Sequence, residues 1–301
     1  MQGPSPTVVY VAGSGRSGST LIERVLGEIP GMTNVGELLD MARRTMPKGE
    51  RCGCGLAFPD CPFWSKVGER AFGGWDASQM AGLERLRNRV ARQRCLPRLL
   101  AMPAAGPAFR ADVKKFGASY AAIYQAIADV DGTSCVVDAS KLPAQALALA
   151  RAGIDVRVVH LVRDARGVAY SLGKQVSRPH AVKATEQMWG SLPTQAAARW
   201  LAIQSEAELL RRCGVPVARV LYEDFVRRPG PVIEEALTRL GLSPSRSDLA
   251  HVGDGQVVLG RSHGLSGNPS RFTEGEVSLH ADEAWRRQMP RRDRVAVTAI
   301  T

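Results

Sequence analysis

Short runs of apolar residues without polar alternation punctuate the chain at Val8 to Ala12, Cys135 to Val137, Val156 to Val162 and Val217 to Leu221. They are rich in valine, and a continuous apolar run of this length reads as a strand covered on both faces, the pattern of a parallel sheet. Between them the spacing turns helical: Leu21, Ile22, Val25, Leu26 and Ile29 hold one stripe until Pro30-Gly31 stops it. The same period predicts helices over Ala77 to Leu100 and Asp112 to Val130, separated by the stretch Pro103 to Pro107. Further helices are expected over Ala144 to Ala152, Ala196 to Cys213, Pro231 to Leu240 and Asp282 to Thr301, with a short extended piece at Thr33 to Val35. Strands alternating with amphipathic helices predict an α/β domain with a mainly parallel sheet flanked by helices.

The first strand runs directly into Gly13-Ser14-Gly15-Arg16-Ser17-Gly18-Ser19-Thr20 and then into the first helix. Glycines at 13, 15 and 18 let backbone N–H groups crowd around an anion, and the helix start near Ser19 presents unpaired donors with a positive dipole end. Arg16 adds a donor fork, and Ser17, Ser19 and Thr20 add hydroxyls, so the expected ligand carries at least two negative charges. The spacing approaches the phosphate-binding pattern G-x-x-x-x-G-K-[ST], but Ser19 stands where the lysine belongs and the loop's cation is Arg16. The domain is thus of P-loop type without the lysine that an NTPase or kinase relies on.

Other candidate residues sit at strand ends, where open α/β sheets place their ligands. Glu37, after Gly36, is placed to return to the loop as a general base, or else to cap the segment Leu38 to Met41. The third strand ends in Asp138-Ala139-Ser140-Lys141. Asp138 reads as a magnesium-site aspartate only if the loop lysine were present, and Lys141 reads as a charge-neutralising cation or a surface lysine. The fourth strand runs into Arg163, and Ser171 follows on the next helix; an arginine plus a hydroxyl at a helix start makes a second phosphate seat. Tyr222, at the end of the fifth strand, is either a ligand contact or a core aromatic.

Arg16-Ser17-Gly18-Ser19-Thr20 resembles the 5′-phosphosulfate loop [KR]-S-G-[ST]-T of PAPS-dependent sulfotransferases. Arg163 to Ser171 is similar to that family's 3′-phosphate motif R-[DN]-x-[RK]-[DG]-x-x-x-S. The resemblance implies sulfuryl transfer from PAPS to a hydroxyl of a small-molecule acceptor, releasing PAP, with no metal in the reaction. It implies that Gly15, Arg16, Ser17, Gly18, Ser19, Thr20, Arg163, Ser171 and Tyr222 bind the nucleotide. It also implies that Glu37, in a Gly-Glu pair similar to that of tyrosylprotein sulfotransferases, is the base. Cytosolic members carry K-[ST]-H-L-P where this chain has Ala139-Ser140-Lys141-Leu142-Pro143, so lysine stands in the histidine's place and Glu37, Arg16 and Lys141 become the catalytic candidates. The turn-forming, basic stretch after Gly260 looks like the family's C-terminal loop over the 3′-phosphate, with Arg271 as its contact. A P-loop kinase using ATP and Mg²⁺ is the alternative enzyme, and a PAP-sensing or carrier module the non-catalytic one.

The remaining features narrow the picture little. The 301 residues, 45% of them hydrophobic, suffice for one domain spanning 1–301, with an insert at about 47–64 and a closing loop at about 260–272. The net charge of +11 suits anion binding, but the basic residues are scattered rather than interleaved with aromatics, which argues against nucleic acid. No apolar stretch approaches the ~18 residues of a membrane span, and a soluble, cytoplasmic enzyme is expected. Cys95, Cys135 and Cys213 lie singly in predicted elements and read as reduced. Cys52, Cys54 and Cys61 lie in a turn-rich segment similar to one in bacterial sulfotransferases, read as a lid or as a loop packed on Phe63 and Trp64. A zinc site would need a fourth ligand that this segment does not contain. Residues 174–194, with His180, read as a turn-rich connection in which a lone histidine is solvated.

Overall fold

The computed structural model describes residues 4–174 and 190–301; the reading of His180 lies outside them. Strands β1 (Thr7–Gly13), β2 (Met32–Gly36), β3 (Cys135–Lys141), β4 (Val156–Val162) and β5 (Val217–Leu221) form a five-stranded sheet in the order β2-β3-β1-β4-β5. Every pairing is parallel. The sheet is dry on both faces because successive side chains of a strand enter different cores. Val8, Tyr10 and Ala12 of β1 pack in one core with Val136, Val158 and the aromatic residues Phe116, Tyr120 and Tyr124. Val9 and Val11 pack in the other with Ile22, Val25, Val137 and Val159. Two buried faces explain why the strand sequences lack polar alternation.

From central β1 the chain crosses to edge strand β2, returns to insert β3 between them, and then passes to β4 on the far side. The order therefore reverses at β1, and a crevice opens beyond its carboxyl end. Gly13, Gly36, Lys141, Val162 and Leu221 end their strands at that edge.

Several boundaries differ from the sequence expectation, each for a local reason. The helix expected over 77–100 ends at Val90, and a 3₁₀ turn, Gln93–Cys95, leads to a separate short helix, Leu96–Leu100, with proline in its first turn. The next helix starts at Pro107 rather than Asp112 and runs to Asp131, since proline at the first helical position loses no hydrogen bond there. Likewise Pro62 opens a helix to Phe72, so Phe63 and Trp64 belong to that helix and not to the preceding loop. The C-terminal stretch is two helices, Ala284–Gln288 and Arg291–Ile300, with Pro290 just before the second. A small antiparallel sheet, β6 (Val252–Gly253), β7 (Gln256–Leu259) and β8 (Gly275–Ser278), was not legible as strands because its members are two to four residues long. The loop from Gly260 is the connection between β7 and β8.

Candidate active site

The glycine-rich loop wraps the carboxyl end of β1, and helix α1 (Ser19–Gly27) begins at its far side. Gly18 has φ +89°, and a Cβ there would lie 2.5 Å from the Tyr222 ring, so both its conformation and the close approach of the aromatic demand glycine. Arg16 sits at φ +69°, a costly conformation for a side chain with a Cβ. Ser17 is fully buried, and its hydroxyl has no hydrogen-bond partner among the described residues. A buried orphan hydroxyl beside the first-turn amides of a helix is what a phosphate-like group would satisfy.

Arg163 follows β4 and reaches across to this loop. Its guanidinium donates to the Arg16 carbonyl at 2.9 Å, to the Asp282 carbonyl at 3.1 Å and to Asp282 Oδ2 at 3.3 Å. It also lies 4.8 Å from the centre of the Tyr222 ring. Arg16 in turn reaches the Ser171 carbonyl at 3.5 Å. Burial, followed by the repulsion of Arg163, lowers the Arg16 pKa from its ordinary value, with Asp282 partly opposing the shift. Two partly desolvated guanidiniums held near each other favour a ligand bearing several negative charges.

Glu37 and Lys141 face each other at the ends of adjacent β2 and β3, and the Lys141 ammonium forms an ion pair with Glu37 Oε1. The turn that carries Glu37 is fixed by backbone bonds to the tail: Glu37 N–H donates to the Leu265 carbonyl at 2.8 Å, and Leu265 N–H donates to the Val35 carbonyl at 2.9 Å. On the other side Leu39 N–H donates to Ser140 Oγ at 2.9 Å, and Ser140 is held by Asp138. Asp138 is fully buried and accepts from Tyr124 OH at 2.7 Å; burial pushes its carboxyl up to about 6. It therefore supports the Glu37 turn from behind instead of facing a metal-nucleotide.

Gly15, Arg16, Gly18, Ser19, Thr20, Glu37, Lys141, Arg163, Ser171 and Tyr222 all line one cavity of about 580 Å³. Arg271 does not. It is 2% exposed, and its guanidinium donates to the carbonyls of Gly264 and Ser266, both at 2.9 Å, and to that of Arg51. Its charge is spent inside the β7–β8 loop, and the loop meets the site through other groups: Gly267 and Asn268 line the cavity, and Asn268 N–H donates to Thr20 Oγ1 at 3.1 Å. Arg24, buried on α1, grips the same loop through the carbonyls of Gly260, Ser270, Arg271 and Thr273. Asp282, Asn268 and Leu265 were missed because their roles are set by distant packing. Glu23 was missed as well: α1 buries it, and desolvation pushes its carboxyl up to about 8, against the pull of the Lys141 charge.

The model of the Sulfotransferase family matches residues 6–246 of this sequence. No curated protein matches the chain significantly. Among solved structures, the sulfotransferase domain from the Synechococcus PCC 7002 olefin synthase superposes with a TM-score of 0.51 at 17% identity, covering 100% of this chain and 95% of that one. The sulfotransferase domain from the curacin biosynthetic pathway gives 0.51 at 16% identity, covering 98% and 96%. These neighbours share the fold; the sequence match carries the assignment, and by it this chain belongs to the sulfotransferase family.

Proposed function

We propose that this sulfotransferase takes PAPS as its donor and sulfates a hydroxyl of a small-molecule acceptor, with Glu37 as the base. The observation that carries the reading is the convergence of two cationic seats, the Arg16 loop and Arg163 with Ser171, on the cavity that also holds the Glu37–Lys141 pair. The donor set fits the nucleotide: amides and hydroxyls of the loop, with the orphan Ser17 Oγ, suit the 5′-phosphosulfate, and Arg163 with Ser171 suits the 3′-phosphate. Tyr222, packed against Gly18 and under Arg163, offers its ring to the adenine side. Bound PAPS supplies an activated sulfuryl group attached to a phosphate leaving group.

The chain's own residues then do positioning and charge work, as in phosphoryl transfer. Glu37 accepts the acceptor's hydroxyl proton as the new bond forms. Lys141, already directed at Glu37, would donate to the oxygens of the sulfuryl group, and Arg16 with the loop amides would hold the phosphate end of the donor. Leu39, Leu142, Leu172 and Ile203 line the same cavity, which suits an acceptor with an apolar body. No disulfide joins any of the six cysteines, in keeping with a reducing cytoplasm. The kinase alternative is not favoured, since the loop has no lysine and the family match is to sulfotransferases.

The test is a thermal-shift comparison of PAP with ADP and ATP, followed by transfer from radiolabelled PAPS to a panel of hydroxyl compounds. A melting temperature that rises with PAP concentration and transfer without Mg²⁺ are expected. Magnesium-dependent turnover of ATP together with no response to PAP would overturn the reading.

A further inference from the structure

The cysteine segment lacks a fourth metal ligand, and the fold supplies one from more than two hundred residues away. His263, in the β7–β8 loop, places its ring against Cys52, Cys54 and Cys61, and the three sulfurs and an imidazole nitrogen all lie within 4.8 Å of one another. Cys61 Sγ is 3.6 Å from Cys52 Sγ, 3.7 Å from Cys54 Sγ and 3.3 Å from His263 Nδ1, and Cys52 Sγ is 3.6 Å from the same nitrogen. Ligand atoms held ~2.0–2.3 Å from one ion at tetrahedral angles stand roughly 3.4–3.8 Å apart, so these four separations lie close to four of the six edges of a zinc tetrahedron. They are far too long for a disulfide, whose sulfurs lie about 2 Å apart. We propose that Cys52, Cys54, Cys61 and His263 hold a structural zinc ion.

The surroundings are built for such a site. Cys52 and Cys61 are fully buried, and the His263 ring stacks on Phe63 at 4.7 Å between centres and 9° between planes. Trp64 Nε1 donates to the His263 carbonyl at 2.9 Å. Gly53 admits the loop so closely that a Cβ there would lie 2.7 Å from the Ser262 carbonyl oxygen. Cys61 is the N-cap of the helix Pro62–Phe72, where the dipole favours a thiolate. Three thiolates and one Zn²⁺ leave one negative charge, and the charge of buried Arg271, which hydrogen-bonds only carbonyls among the described residues, acts on Cys52 as well as on the carboxylates of Glu23, Glu50 and Glu37. Soft sulfur ligands with one imidazole select zinc over magnesium or calcium, and four protein ligands leave no open position for catalysis.

The ion would act as a clip. His263 stands two residues before Leu265, whose backbone bonds fix Val35 and Glu37, so the cysteine segment is tied through the metal to the turn that aims the base. This holds whichever donor the enzyme uses.

Metal analysis of the full-length protein, purified with reductant and stripped of loose ions, should find about one zinc per chain. Titration with a mercurial should release it in step with modification of Cys52, Cys54 and Cys61, and cobalt substitution should give the absorption of tetrahedral thiolate-bound Co²⁺. His263→Ala should weaken zinc retention at least ~10-fold, whereas Cys213→Ser should leave it unchanged. If the His263 variant does not fold, the cobalt spectrum and mercurial titration of the unmodified protein decide the matter. Folded protein with less than about a tenth of an equivalent of zinc, refusing added zinc or carrying a Cys52–Cys61 disulfide, would overturn the proposal.

Discussion

Lys141 closes an ion pair with Glu37 across the ends of two neighbouring strands while its own backbone is held at φ +70°. A left-handed conformation at a lysine costs on the order of 1–3 kcal/mol and persists only where its surroundings over-determine it. Here they do: β3 leaves its regular register beside Lys141, Ser140 is tied to Leu39, and the next residues enter the helix Pro143–Arg151. Arg16, at φ +69°, is the corresponding case in the loop that follows β1. Strain at both positions lies where the cationic side chains enter the cavity, which is where function, rather than stability, selects the backbone.

Replacing Glu37 by glutamine keeps the shape of its turn, because the bonds that fix it use backbone groups. The expected result is a fall in kcat of roughly 10²–10⁴-fold, the usual worth of a general base, with the PAP-induced thermal shift retained. Transfer at an undiminished rate in steady-state assays would remove Glu37 from the role.

Arg163 is expected to read the 3′-phosphate, so its effect depends on that group being present. Arg163→Ala should weaken PAP by roughly 30-fold or more, as for truncation of a buried charged partner, and should change the affinity for adenosine 5′-phosphosulfate much less. Calorimetric titration of both ligands checks the difference. Arg163→Lys should not restore PAP binding, since a compact ammonium lacks the planar fork that spans the Arg16 carbonyl and Asp282 while facing a phosphate. Equal losses for the two ligands would mean that Arg163 only shapes the loop.

What the sequence reveals of this molecule is what depends on contiguous residues. The strands are legible because burial on both faces leaves an unbroken apolar run, and the Arg16 loop because its glycines and hydroxyls adjoin a helix start. Arg271 is the instructive failure: its basic, turn-rich neighbourhood reads as a ligand contact, yet burial turns the guanidinium inward onto carbonyls. His263, Leu265 and Asp282 are the reverse case, ordinary in their own neighbourhood and given a role only by packing against segments far away in the chain. No periodicity carries that information.

Gly18→Ala tests the loop without altering a charge. The added methyl meets the Tyr222 ring at 2.5 Å and must tolerate φ +89°. Either Tyr222 moves, opening the adenine side, or the loop flattens and misdirects its amides. Overpacking of this kind typically costs ~1–3 kcal/mol, and PAP affinity should fall by at least about 10-fold in the thermal-shift series. Wild-type affinity in this variant would show that the loop does not hold the nucleotide in this conformation.

Glu23 makes stability depend on pH in an unusual direction. Desolvation on α1 pushes its carboxyl from the ordinary 4.5 up to about 8, while Lys141 opposes the shift. Between those values the folded protein keeps a proton that the unfolded chain has released, so protonation favours folding. The contribution is fully present below about pH 4.5, declines as pH rises, and is lost above about 8. Glu23→Gln keeps the size and the neutral state while removing the titration. Relative to the variant, the wild type should therefore lose on the order of a few kcal/mol between about pH 5 and pH 8, measured by chemical denaturation at several pH values. Removing the Lys141 charge should leave the onset of the decline in place and extend it to higher pH, because its stabilisation of the folded state's ionised carboxylate disappears. A wild-type-to-variant difference that stays constant over this range would show that Glu23 is already ionised in the fold, and its burial beside the loop would then need another counter-charge.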